Sequence, residues 1–63
     1  MKKPDAIRAA RRMAKEHSCP IVVFSHTDDN YDLCAQKHFN ELLVHHSSVM
    51  RELMIMPNGT VVQ

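Results

Sequence analysis

Cys34 and His38 stand four positions apart, a spacing that would bring a thiol and an imidazole onto one face of a helix as two zinc ligands. Cys19, with His17 or His26, would complete the set from segments flanking the apolar run 21–24. A closed zinc site would also help so short a chain hold its shape. Against this, no close Cys-x2-4-Cys pair exists, and Cys34 falls on an apolar stripe, where a free cysteine behaves as a small hydrophobe. The residues therefore predict no metal and no cofactor, with a zinc-stabilised module as the lesser alternative.

Ser25, His26, Asp28 and Asp29 offer the types needed for nucleophilic catalysis. Sequence neighbours do not by that fact face each other, and a nucleophile needs a base aimed at it. There is no glycine-rich phosphate loop and no nucleophile elbow; the sole glycine, Gly59, belongs to a turn near the C-terminus. The segment 25–30 reads as a polar connection. No catalytic residue and no small-molecule substrate are expected, and the chain is read as a non-enzyme.

The third group is cationic. Arg8, Arg11, Arg12 and Lys15, set at about 100° per residue, share one side of a helix. Such a face suits an acidic protein partner. It also suits successive phosphates, so direct nucleic-acid binding is the alternative reading. No helix-turn-helix pair, GxxG loop or aromatic ribonucleoprotein pattern supports that alternative, and Tyr31, Phe24 and Phe39 are the only aromatics available for stacking. An alanine-rich apolar face offers little area to insert into a membrane surface. The net charge of +1 conceals an uneven distribution: residues 1–17 carry +4 and residues 18–63 carry −3. The halves could attract each other within one fold, across a dimer or through a third molecule.

These residues need elements to position them. Pro4 and Asp5 open an amphipathic helix with Ala6, Ile7, Ala10, Met13 and Ala14 on its apolar face, ended by Ser18-Cys19-Pro20. Ile21-Val22-Val23-Phe24 reads as a strand apolar on both faces, suited to the middle of a sheet, with its second cover supplied by another subunit if the chain is too small to provide one. Tyr31, Cys34, Ala35, His38, Phe39, Leu42 and Leu43 recur at helical spacing, predicting a helix over 30–45 with Asp29 as its cap and His45-His46 at its end. In the tail, Val49, Leu53 and Ile55 alternate with Met50, Met54 and Met56 as in a strand. Pro57-Asn58-Gly59-Thr60 makes a hairpin turn, and Val61-Val62 returns.

The sum is a single small α+β domain over 1–63, in the order α-β-α-β-β, with a two- or three-stranded sheet. A rival pattern at Ala35, Phe39, Leu42, His46, Val49, Leu53 and Met56 would give an all-α hairpin with one helix over about 30–56, though Ser47-Ser48 interrupts it. A domain of 63 residues is marginal alone. The apolar tail at Val49, Met50, Leu53, Met54 and Met56 points to self-association, as a homodimer by preference. No apolar run is long enough to span a bilayer, and no export signal is legible. Reduced thiols in the cytoplasm are the corresponding expectation. The functional expectation is a regulatory or protein–protein interaction domain that self-associates and shows a basic helix to an acidic partner.

Overall fold

Helix α1 (Lys3–His17) carries Pro4 in its first turn and Asp5 at its positive end. Its buried residues are Ala6, Ala10 and Ala14, one from each successive turn. The methyl groups let the helix axis approach the sheet closely. Ser18 adopts a left-handed conformation (φ 51°), and the Cys19 N–H donates to the Ala14 carbonyl at 3.3 Å, a closure that satisfies a terminal carbonyl. Pro20 then forbids any return to helix. The computed structural model describes residues 1–27, 29–46 and 48–63.

Strands β1 (Ile21–Thr27), β2 (Asn30–Ala35), β3 (Met50–Ile55) and β4 (Val61–Val62) form one antiparallel sheet in the order β2-β1-β3-β4. Helix α2 (Gln36–His45) follows β2 directly. The α+β class stands, and the all-α alternative with a helix over about 30–56 does not. The element order is α-β-β-α-β-β, so the sheet has one strand more than the sequence suggested.

The extra strand comes from residues 30–35, read above as the first turns of a helix. Thr27 pairs with Asn30 across a tight connection containing Asp29, and the ladder runs on to Ile21 opposite Ala35. Asp29 therefore belongs to a hairpin turn rather than to a helix cap; Asp28 lies outside the described residues. Tyr31, Leu33 and Ala35 pack toward α1 while Cys34 joins the opposite cluster, a strand's alternation that overlays the helical spacing. The end of α2 falls where His45 and His46 placed it, with His46 as its C-cap. Of the two serines expected to interrupt a longer helix, Ser47 lies outside the described residues.

β1 is an inner strand covered on both faces by the chain itself. Ile21 and Val23 meet Ala6, Ala10, Ala14, Leu53 and Ile55 beneath α1. Val22 and Phe24 meet Phe39 and Val49 on the other face. The second cover is thus α2, anchored by Phe39, whose ring lies 5.4 Å from that of Phe24. α2 lies over β1 and β2, so Met54 is only half-buried and its cross-strand partner Val62 is exposed. A register shift between Val23 and Phe24 makes Glu52 the extra residue of β3, and Lys3 reaches it at 2.8 Å.

The two outer edges differ. On β2, Tyr31 donates its N–H to the Met1 carbonyl at 2.8 Å and accepts from the Met1 amino group at 3.1 Å. The next outward N–H, that of Leu33, donates to the Asp32 carboxylate at 2.8 Å. On β4 the main-chain groups of Val61 point outward, since Met54 and Val62 form the bonded pair of that ladder. The β3–β4 turn is built on Met56-Pro57-Asn58-Gly59, with the Gly59 N–H donating to the Met56 carbonyl at 2.9 Å. Only Gly59 has a positive φ there, at 92°. The connection is a turn followed by a bulge glycine, rather than an Asn-Gly pair with both residues left-handed.

Candidate functional site

The basic residues lie where the helical spacing put them. With the alanine side of α1 sealed against the sheet, Arg8, Arg11, Arg12 and Lys15 are all exposed on the outer side. From Arg8 to Lys15 the axial distance is about 10 Å, and intervening turns keep all four within one stripe. Arg8 approaches Asp5 at 3.8 Å, with both side chains well exposed; such a contact contributes little. Lys3, Pro4, Ile7, Arg8 and Arg11 line a shallow groove along the same helix. The stripe therefore combines charge with a small apolar strip.

Lys3 is engaged differently. Its hydrogen bond to Glu52, reinforced by that carboxylate's charge, raises its pKa above the ordinary 10.5. This ion pair joins the positive N-terminal part to the negative remainder within one fold. Spacing alone could not reveal it, because it depends on the register shift that turns Glu52 toward α1.

The residues considered for zinc are only partly gathered. His17, Cys19, Cys34 and His38 line one cleft at the end of the sheet. Among the described residues, however, no three His, Cys, Asp or Glu side chains are grouped closely enough to hold a metal ion. His26 stands elsewhere, edge-on to Phe24 at 5.2 Å and 3.8 Å from the Asp32 carboxylate. Burial first, and then the charge of Asp32, pushes the Cys34 thiol above its ordinary value. Cys19 and Cys34 are both free thiols.

The residues weighed for nucleophilic chemistry do not converge. Ser25 and His26 are neighbours on β1, and His26 pairs with Asp32 of β2 rather than with Asp29 in the turn. Asp28 is outside the described residues. Among the described residues no polar or charged side chain is buried.

The tail residues separate by depth. Val49 and Leu53 are 5% and 6% exposed and belong to the chain's own core. Met50 is 68% exposed, while Met54 and Met56 are half-buried. Leu43, Val44, Val61 and Val62 add further exposed apolar surface. No helix among the described residues is long and apolar enough to cross a membrane.

No protein family matches the chain, and neither the curated proteins nor the solved structures contain a significant match to it.

Proposed function

We propose that this chain is a small non-enzymatic interaction domain that offers the outer face of α1 to an acidic protein surface and self-associates through its C-terminal half. The observation that carries the reading is the exposure of Arg8, Arg11, Arg12 and Lys15 on a helix whose other face is fixed to the sheet by alanines. A helix anchored in this way presents its cations at fixed spacing, so their combined potential is not dissipated by movement of the backbone. Three of the four have no ion-pair partner among the described residues. Self-association draws on exposed Met50 and on half-buried Met54 and Met56, while Val49 and Leu53 of the same segment are packed in the chain's own core.

The test combines Arg8→Glu with Arg12→Glu. Neither side chain enters the core, so the fold should persist by circular dichroism. Binding of a labelled polyglutamate peptide at low salt should fall at least about tenfold, since interface charges are reversed rather than merely removed. Equal binding by the variant would sink the assignment. Binding of a DNA duplex that is tighter than peptide binding and falls steeply with salt would transfer the same face to nucleic acid. Light scattering on the wild-type chain tests self-association: a mass of one chain at all concentrations would remove that half of the reading.

A further inference from the structure

A second feature lies away from the basic face, where α1 ends, β1 begins and β2 passes into α2. The cleft there has a volume of about 670 Å³, within the roughly 300–1,000 Å³ of small-molecule sites. Half-buried Met13 and Leu33 supply the apolar wall, backed by the buried Ile21. The polar lining is His17 from the last turn of α1 together with Gln36, Lys37 and His38 from the first turn of α2. No carboxylate is among the residues that line it. The Cys34 thiol in the wall is held protonated by burial and by the nearby Asp32 charge, so it adds no negative charge.

The placement of Lys37 is unusual in itself. Cations are unfavourable at the positive end of a helix, where acids normally stand. α2 has no acid in its first turn and no side-chain cap. An anion bound at this rim would relieve that repulsion, while the adjoining wall would shelter an apolar body from water. Neither a bare inorganic anion nor a neutral hydrocarbon uses both halves of the cleft.

We propose that the cleft binds a small amphiphilic carboxylate, with its hydrocarbon part against Met13 and Leu33 and its carboxylate among Lys37, His38 and His17. This site is separate from the basic face, because Arg8, Arg11, Arg12 and Lys15 do not line it. Its failure would leave the proposed partner surface untouched.

The experiment is a titration of isotope-labelled protein with decanoate below its micellar range, followed by amide chemical shifts, with acetate and decanol as the two half-ligands. Decanoate should saturate and move the amides of Met13, Ile21, Leu33 and the first turn of α2. Acetate and decanol should each bind at least about tenfold more weakly, tenfold being about 1.4 kcal/mol. Combining Lys37→Glu with His38→Glu should weaken decanoate by a similar factor without changing the circular dichroism spectrum. Should that pair disturb the fold, Lys37→Met alone should still weaken binding severalfold. Decanol binding as tightly as decanoate, shifts confined to Val44, Val61 and Val62, or no saturation at all would each overturn the proposal.

Discussion

Replacing Phe39 with alanine asks whether one aromatic ring holds α2 to the sheet. Phe39 is the buried residue of α2 and is 4% exposed. Its ring tilts by 41° against Phe24 and is surrounded by Val22, Val49, Leu42 and Met54. Burial of such a side chain contributes about 1.5–3 kcal/mol, and the aromatic pair about 0.5–1.5 kcal/mol more. Adding the cavity left behind brings the loss to about 3–5 kcal/mol, the range of phenylalanine truncations in cores. A chain of 63 residues has a total stability of about 3–9 kcal/mol, so the loss consumes at least about a third of it and, at the low end of that range, all of it. With a urea slope of about 1 kcal/mol/M for so small a protein, the unfolding midpoint should fall by about 3–5 M. Phe39→Leu, which keeps most of the apolar bulk but loses the aromatic pair, should lose clearly less than Phe39→Ala. Val44→Ala, altering a residue 79% exposed on the same helix, should stay within about 0.5 kcal/mol of wild type. The measurement is urea unfolding by far-UV circular dichroism. A Phe39→Ala midpoint within about 0.5 M of wild type would show that α2 is not held by this contact, and the account of the second sheet face would be wrong.

Two further outcomes follow from local geometry. Lys3 has its pKa raised first by the hydrogen bond and then by the charge of Glu52; the pair's contribution is therefore fully present below the unfolded lysine value and is lost as pH rises through the folded one. The gap in unfolding midpoint between wild type and Lys3→Met should narrow at alkaline pH above the ordinary 10.5, and a gap that stays constant through that window would contradict the pairing. Gly59 has φ 92° with nothing within 4 Å of an added Cβ. Gly59→Ala should therefore cost about 1–2 kcal/mol through the backbone alone, and an unchanged thermal midpoint would refute the bulge-glycine account.

Much of the fold can be read from local pattern, and the exceptions have identifiable causes. α1 is legible because Ala6, Ala10 and Ala14 repeat at helical spacing between a first-turn proline and Pro20. β1 is legible because four apolar residues, three of them β-branched, stand between Pro20 and a polar turn. β2 escapes notice because Tyr31, Cys34 and Ala35 satisfy a helical spacing while Tyr31, Leu33 and Ala35 satisfy a strand's. The pairing of Thr27 with Asn30 decides between them, and that is a tertiary fact. The basic stripe depends only on which side of α1 is apolar, so its exposure could be anticipated. The cleft could not, because its walls come from the ends of four elements brought together by β1–β2 register. The depth of Val49 and Leu53 was hidden for the same reason, and the expected sharing of one face by Val49, Leu53 and Ile55 fails. The extra residue Glu52 breaks the alternation, so Val49 packs with Met54 and Phe39 while Leu53 and Ile55 pack beneath α1.

The unequal edges of the sheet bear on stoichiometry. Met1 and the Asp32 carboxylate occupy hydrogen-bonding positions along β2, so further strands are discouraged on that side. β4, two residues long, leaves the outward groups of Val61 for pairing. A sheet that can be extended from one side only has a natural stopping point. Two copies joined β4 to β4 about a two-fold axis would leave a β2 strand at each end, and no favoured edge would remain for a third. Two equally bare edges would instead permit head-to-tail addition without closure. If the proposed self-association runs through sheet edges, the contacts of Met1 and Asp32 would act as a terminator, limiting how many chains one continuous sheet could recruit.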